Sequence, residues 1–216
     1  VFKEDYAYLS STSKTLCNHA ESFVDYAIRH FNLDSSSFVV EIASNDGYLL
    51  EHLTKKNIPC LGVEPTKLAG SISKKKKINT LIKFFSLKIS QEIVQNYKKP
   101  DLIIANNVLP HVPNINDFLK GLSFLISPEG VISIEFQHLL SLIKNNLWDT
   151  IYHEHYSYLS LDFLKNALNK FKLKIFDIQI ITTHGGSLRV FLKKENSKRK
   201  VNQHIIDKIL KEEKKY

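Results

Sequence analysis

Apolar residues recur along the chain in two rhythms, and their alternation predicts the fold. Residues 13–31 carry Leu16, Ala20, Phe23, Val24, Ala27, Ile28 and Phe31 at steps of three and four, the stripe of an amphipathic helix. Ser10, Ser11, Thr12 and Ser13 offer N-cap side chains just ahead of it. Short apolar-rich segments at 38–43, 60–64, 79–84, 101–105 and 131–136 have the length and composition of buried strands. Helical stretches at 48–56, 68–75, 90–97 and 115–126 alternate with them. A helix over 161–171 follows, then strands at 173–181 and 187–193. Those strands are joined by Thr182-Thr183-His184-Gly185-Gly186, a hairpin connection whose glycines suit positive φ. A polar helix over 201–214 keeps Ile205, Ile206, Ile209 and Leu210 on one side. Strand–helix alternation implies right-handed crossovers and a mostly parallel sheet with helices on both faces. The expected fold is therefore α/β, with seven strands and an antiparallel closing hairpin.

Composition narrows the class. No apolar run approaches the roughly 20 residues of a bilayer span. The start, Val1-Phe2-Lys3-Glu4-Asp5, lacks the charged and apolar regions of a secretory leader. The absence of Met, at position 1 and everywhere else, leads us to expect a piece of a longer protein. Cys17 and Cys60 form no Cys-x-x-Cys pair, so neither a disulfide framework nor zinc is expected, and a cytoplasmic location fits. Cys60 reads as a small core residue. The net charge of +8 is concentrated in lysine runs such as Lys74-Lys75-Lys76-Lys77 and Lys193-Lys194. Aromatics are not interleaved with them as single-strand binding requires, so a solvated surface is expected and no nucleic acid partner.

The first strand–turn–helix, Val39-Val40-Glu41-Ile42-Ala43-Ser44-Asn45-Asp46-Gly47, occupies the place where doubly wound sheets bind ligands. It lacks the glycine fingerprint that lets a backbone approach a pyrophosphate. S-adenosylmethionine has no phosphate and tolerates such a turn, which must instead supply polar groups for an ammonium and a carboxylate. The second strand ends in Glu64-Pro65, and an acid there can accept bonds from ribose hydroxyls. The cofactor-binding candidates are Glu41, Ala43, Ser44, Asn45, Gly47, Tyr48, Glu64 and Pro65, with Asn106 and Asn107 after the fourth strand.

The stretch Val39-Val40-Glu41-Ile42-Ala43-Ser44-Asn45-Asp46-Gly47-Tyr48-Leu49-Leu50 resembles the first motif of the sugar C-methyltransferases that act on nucleoside-diphosphate keto-sugars. Ala105-Asn106-Asn107-Val108-Leu109-Pro110-His111-Val112 looks like that family's fourth-strand motif, and Asp149-Thr150-Ile151-Tyr152-His153-Glu154-His155-Tyr156-Ser157-Tyr158 like its catalytic segment. Thr183-His184-Gly185-Gly186-Ser187-Leu188-Arg189 is similar to its late hairpin, and Tyr6-Ala7-Tyr8-Leu9-Ser10-Ser11 to the segment before its first helix. Members usually carry an N-terminal zinc-binding region and a further C-terminal domain; neither pattern is read in these 216 residues, so a central domain of a longer protein, or a shortened relative, is expected. The expected organisation is a helical lead-in (1–35), a class I, Rossmann-like methyltransferase core (36–194) and a C-terminal helix or linker (195–216).

The resemblance implies methyl transfer from S-adenosylmethionine to a carbon of a nucleotide-linked, dTDP-type keto-sugar. Carbon methylation beside a ketone needs a base for the α-proton and a partner for the developing oxyanion. By resemblance His155 is the base. Glu154 could orient it or contact the sugar, and Tyr152 could hydrogen-bond the substrate. Tyr8 and His111 match family positions near the reacting centre. His153 and His155 are separated by one residue, so the His-Glu-x-x-His pattern is not met and no metal is expected. Arg189 could reach a substrate phosphate or be a strand-edge charge. Three other readings remain: O- or N-methylation of another small molecule, a nucleic-acid-binding module using the lysine runs, and an NAD-linked oxidoreductase, which the incomplete glycine fingerprint disfavours.

Overall fold

A computed structural model of the chain describes residues 8–182 and 185–216. Tyr6 and Ala7, and Thr183 and His184 of the hairpin connection, lie outside them. The elements run α1 (Lys14–Phe31), β1 (Val39–Ile42), α2 (Leu50–Lys55), β2 (Cys60–Val63), α3 (Lys67–Lys75), β3 (Thr80–Leu81), α4 (Leu87–Asn96), β4 (Leu102–Asn106) and α5 (Ile115–Leu125). They continue β5 (Val131–Gln137), α6 (Leu139–Lys144), α7 (Leu161–Asn169), β6 (Leu173–Ile181), β7 (Ser187–Lys194) and α8 (Gln203–Glu213).

The described strands form one seven-stranded sheet in the order β3-β2-β1-β4-β5-β7-β6. β1 through β5 pair in parallel, while β7 runs antiparallel to both β5 and β6. This is the class I methyltransferase architecture. β1, β2 and β4 are buried along nearly their whole length because helices cover both faces of the sheet.

Successive strand residues point to opposite faces, which splits the core in two. Val40, Ile103, Ile132 and Val190 join one cluster with residues of α4, α5, α7 and α8. Val39, Leu102, Ile104, Val131 and Phe191 join the other, packed under α1 and α2. Further steps of two along β1, β4 and β5, and back along β7, reach Glu41, Asn106, Glu135 and Arg189 on the same face. Polar groups on four strands therefore share the α1 face toward the carboxyl ends.

Local caps set the helix starts. Ser13, Ser86, Asn114 and Ser160 each accept a bond from a backbone N–H in the first turn of α1, α4, α5 and α7. The Ser86 cap starts α4 at Leu87, earlier than the apolar spacing indicates. β3 is confined to two residues because it pairs only with Gly62 and Val63. α6 has no counterpart among the expected elements. At the far end of α8, the Glu213 carboxylate accepts from the Leu161 and Asp162 amides at the start of α7 and from His138 Nε2, just ahead of α6. That contact fixes both ends of the segment carrying the Tyr-His-Glu-His motif.

Candidate active site

The turn after β1 is tight and strained. The Ala43 and Ser44 amides both donate to the Val63 carbonyl, at 2.7 and 3.3 Å, which curls the chain against the tip of β2. Ala43, Asn45 and Gly47 adopt φ of 57°, 49° and 78°. A left-handed conformation costs an ordinary L-residue about 1–2 kcal/mol, and such strain gathers at functional sites. A Cβ on Gly47 would lie 2.6 Å from Ile78 Cδ1 and 2.7 Å from Ser73 Oγ, so only glycine fits there. Asn45 ties down the chain before α1: its Oδ1 accepts from the Ser10 amide at 2.8 Å, and its Nδ2 donates to the Tyr8 carbonyl at 3.0 Å. Tyr8 thus lies over the cofactor-side turn.

Glu64 faces the same turn. Its Oε2 accepts from the Asn45 amide at 2.8 Å, and its Oε1 from the Thr66 amide and hydroxyl at 2.9 and 2.7 Å. These bonds use three of a carboxylate's roughly four lone-pair positions. Pro65 is half-buried beside it and leads into α3.

Glu41, Asp46 and Glu64 put three buried carboxylates around this turn. Burial lifts the Glu41 carboxyl well above the ordinary carboxylate range, and the charges of Glu64 and Asp46 raise it further. Burial, with Glu41 and Glu135 behind it, also pushes the Tyr48 phenol up. The countercharge on Asp46 among the described residues is Lys76 Nζ at 3.4 Å. Glu41 Oε2, Ser44 Oγ, Asp46 Oδ1 and Asn106 Oδ1 are buried and find no hydrogen-bond partner. Buried acceptors without donors are costly unless a ligand supplies them. These acceptors suit a ligand that brings N–H and O–H groups and positive charge.

Beyond β4 the second group assembles. Asn107 takes φ of 52° and donates to the Glu135 carbonyl at 2.7 Å, turning the chain into a 3-10 turn at Leu109–His111. The Tyr156 and Ser157 amides both donate to the Pro110 carbonyl, docking the Tyr-His-Glu-His segment on that turn. His111 Nδ1 donates to the Glu154 carbonyl at 2.9 Å, and the His111 and His155 rings stand 4.8 Å apart. The main chain of Glu154 thus orients His111, while its carboxylate acts on Tyr152 and His155 through charge. His155 Nδ1 lies 3.0 Å from the Thr150 carbonyl, which can only accept, so Nδ1 carries the proton. Nε2 is then the basic nitrogen, and it receives the Tyr152 hydroxyl at 3.0 Å. Burial first, then the neighbouring His111, lowers the His155 pKa and favours the neutral ring. Burial and Glu154 raise the Tyr152 phenol, keeping it a donor.

Arg189 is not the strand-edge charge of its second sequence reading: it is 4% exposed. The β5–β7 register sets it opposite Glu135, with which it forms a buried ion pair. Its guanidinium lies 4.0 Å above the Phe23 ring, and its Nη2 contacts His19 Nε2 at 2.8 Å. His19 also stands 3.0 Å from Glu135, so the network joins α1 to the sheet. Sequence reasoning missed Glu135 and Asp46. An acid inside the apolar run Val-Ile-Ser-Ile-Glu-Phe was the available signal, since a buried charge needs a partner. Lys193 is likewise no surface lysine; it is buried and donates to the Ser197 and Arg199 carbonyls. Cys60 is buried, and its thiol is pushed up to about 12 by burial and by Glu41. Gly185 and Gly186 take the positive φ expected of them.

A family profile described as a methyltransferase domain matches residues 18–177. The C-methyltransferase NovU of Streptomyces niveus is 31% identical over 186 residues, covering 86% of this chain and 44% of that protein. The chain therefore spans less than half the length of that curated relative. The crystal structure of the PH0226 protein from Pyrococcus horikoshii superposes with a TM-score of 0.70 at 12% identity, covering 90% of this chain and all of the other. Magnesium protoporphyrin IX methyltransferase from Synechocystis, with bound SAH, superposes with a TM-score of 0.63 at 14% identity, covering 82% and 83%. No helix of the described residues is long and apolar enough to cross a membrane.

Proposed function

The chain belongs to the methyltransferase-domain family, and from that premise we propose that it transfers a methyl group from S-adenosylmethionine to carbon in a nucleotide-linked keto-sugar of the dTDP type. The observation that carries the cofactor half is the group of buried carboxylates and unpartnered acceptors around the turn after β1. The pyrophosphate of a dinucleotide would sit at the turn after β1 beside the buried Asp46 carboxylate, where like charges repel. A molecule with an ammonium, a sulfonium and hydroxyl donors instead satisfies the orphaned acceptors. In this reading Glu41 and Asn106 take the ammonium, Glu64 takes a ribose hydroxyl on its remaining lone pair, and the Ser44–Gly47 backbone shapes the wall. Tyr48 and Pro65 border that pocket, and Asn107 turns β4 toward the second group.

When bound, S-adenosylmethionine supplies an electrophilic methyl group. The chain's own groups make the nucleophile. Neutral His155 takes the sugar's α-proton at Nε2, with Nδ1–H held on Thr150. Tyr152 turns its hydroxyl from Nε2 toward the carbonyl oxygen as negative charge develops there. His111, fixed by Glu154, and Tyr8, at the rim of the β1 turn, border the space between cofactor and sugar. The similarity to a C-methyltransferase supports carbon as the acceptor. We read residues 36–194 as the cofactor-binding core, with 1–35 as its lead-in and 195–216 as its link onward.

The test is His155→Gln, assayed for methyl transfer to a dTDP-keto-sugar and for solvent deuterium exchange at its α-carbon. General-base catalysis contributes about 10²–10⁴-fold, so both should fall by that factor while cofactor binding persists. Methyl transfer that survives unchanged would assign the chain to O- or N-methylation.

A further inference from the structure

One carboxylate closes the base of the segment that holds Tyr152 and His155. Glu213, the last residue of α8, accepts from the Leu161 amide at 2.6 Å through Oε1 and from the Asp162 amide at 2.9 Å through Oε2. Those amides open α7 and belong to the four donors a helix leaves unpaired at its start; Ser160 satisfies the next one, on Phe163. The same Oε1 accepts from His138 Nε2 at 2.6 Å. His138 is buried and directly precedes α6. Burial alone would raise the Glu213 carboxyl, but the bonds from His138, Leu161 and Asp162 outweigh it and hold the group below its ordinary pKa. Beside this clasp the Leu139 amide donates to the Leu159 carbonyl at 3.0 Å, so the segment leaves and rejoins the core at one place.

Between its two ends the segment organises its own reacting groups. The Thr150 carbonyl holds His155 Nδ1, the Tyr152 hydroxyl meets Nε2, and the His155 amide donates to the Tyr152 carbonyl. None of these three bonds uses a residue outside the segment. They fix the shape of the base and its phenol partner, not where that pair stands over the sheet. The Tyr156 and Ser157 amides on Pro110 set the placement from one side, and the Glu213 clasp sets it from the base.

We propose that Glu213 is a positioning residue for methyl transfer, setting through His138 and the start of α7 where His155 Nε2 meets the substrate. This rests on the roles proposed above for Tyr152 and His155. A misplacement of about 1 Å at a reacting group can cost about a hundredfold in rate. A loosened clasp is therefore felt at the chemistry even though the bonds inside the segment survive.

The test compares Glu213→Ala and Glu213→Gln with the parent in the full chain. Glu213→Ala should lower kcat for methyl transfer to a dTDP-keto-sugar about a hundredfold, with KM and SAH affinity little changed. Glu213→Gln keeps an acceptor for the α7 amides and loses the charge, so it should recover part of that loss. Hydrogen exchange gives a readout that needs no substrate. The amides of residues 155–157, all bonded in the parent, should exchange about tenfold faster in Glu213→Ala, while β1, β4 and β5 keep their protection. If Glu213→Ala does not fold, His138→Ala removes one arm of the clasp and should move both readouts the same way by less. A helix clasp with no part in the reaction would lower the melting temperature and speed exchange in α7 and α8 alone. Unchanged kcat well below melting, or parent-like protection of 155–157, overturns the proposal and leaves the substrate reading standing. A parent that neither methylates the sugar nor exchanges its α-proton overturns the substrate reading, and the exchange at 155–157 then decides by itself whether Glu213 holds the segment.

Discussion

Replacing Glu41 by Gln separates the cost of this pocket from its use. Glu41 is 2% exposed, has an unpartnered Oε2, and faces the charges of Glu64 and Asp46. Its folded pKa lies above the value it has in the unfolded chain. The folded protein therefore holds a proton that the unfolded chain releases, and Glu41 subtracts stability as pH rises from the ordinary carboxylate range toward its own raised value. Gln keeps the shape and removes that loss. The ligand-free variant should melt at the same temperature as the parent at pH 8, or higher. The cofactor should respond in the opposite direction. A hydrogen bond between a carboxylate and an ammonium is worth about 1.5–3 kcal/mol, so SAH affinity should fall roughly tenfold to 150-fold. In the parent, SAH binding should also release a proton from Glu41, because the incoming ammonium favours the ionised form. Calorimetry in buffers of different ionisation enthalpy reads that proton, and the Gln variant should lack it. Equal SAH affinity in the two proteins, or a variant that melts well below the parent, would refute the reasoning and make Glu41 a structural group.

Three further outcomes follow from other parts of the molecule. Burial and His111 lower the His155 pKa, so the rate should hold as pH falls through the ordinary histidine range and drop only below it; a pH–rate profile breaking at or above 6.5 would contradict this. Arg189→Met strands the Glu135 carboxylate, and breaking one side of a buried pair costs about 3–5 kcal/mol, so melting should fall by about 6–20 °C in a calorimetric scan. Gly47→Ala forces a Cβ into Ile78 and Ser73 at positive φ, and should cost about 2 kcal/mol of stability by denaturant titration, with weaker SAH binding.

Most of the architecture is written locally, and the chain can be read where it is. α1 shows its stripe because Ala20, Phe23, Val24 and Ala27 all face the sheet. The segments at β1, β4 and β5 are rich in apolar residues because both faces are covered. Misreadings arise where a partner decides. β3 is short because β2 offers it two residues, whatever the apolar content of 79–84. α6 escapes notice because its apolar residues follow those of β5 directly and His138 makes no side-chain cap. The acids at the tips of β1 and β2 are legible, since a strand-end acid next to a turn has few other uses. The role of Arg189 is not, because its partner is 54 residues away and only the β5–β7 register brings them together. Whether His155 faces a neighbour through Nδ1 or Nε2 is also a matter of folding, settled by where the Thr150 carbonyl points.

The most direct measurement of the central claim is the fate of the methyl group. The chain would be incubated with S-adenosylmethionine carrying a ¹³C-methyl and with a dTDP-linked keto-sugar, and the product examined by NMR. The account requires the label to appear with a one-bond coupling to a sugar carbon beside the ketone. A labelled methyl on oxygen or nitrogen would contradict carbon transfer, and tight binding of NAD with no affinity for S-adenosylmethionine would contradict the acidic pocket itself.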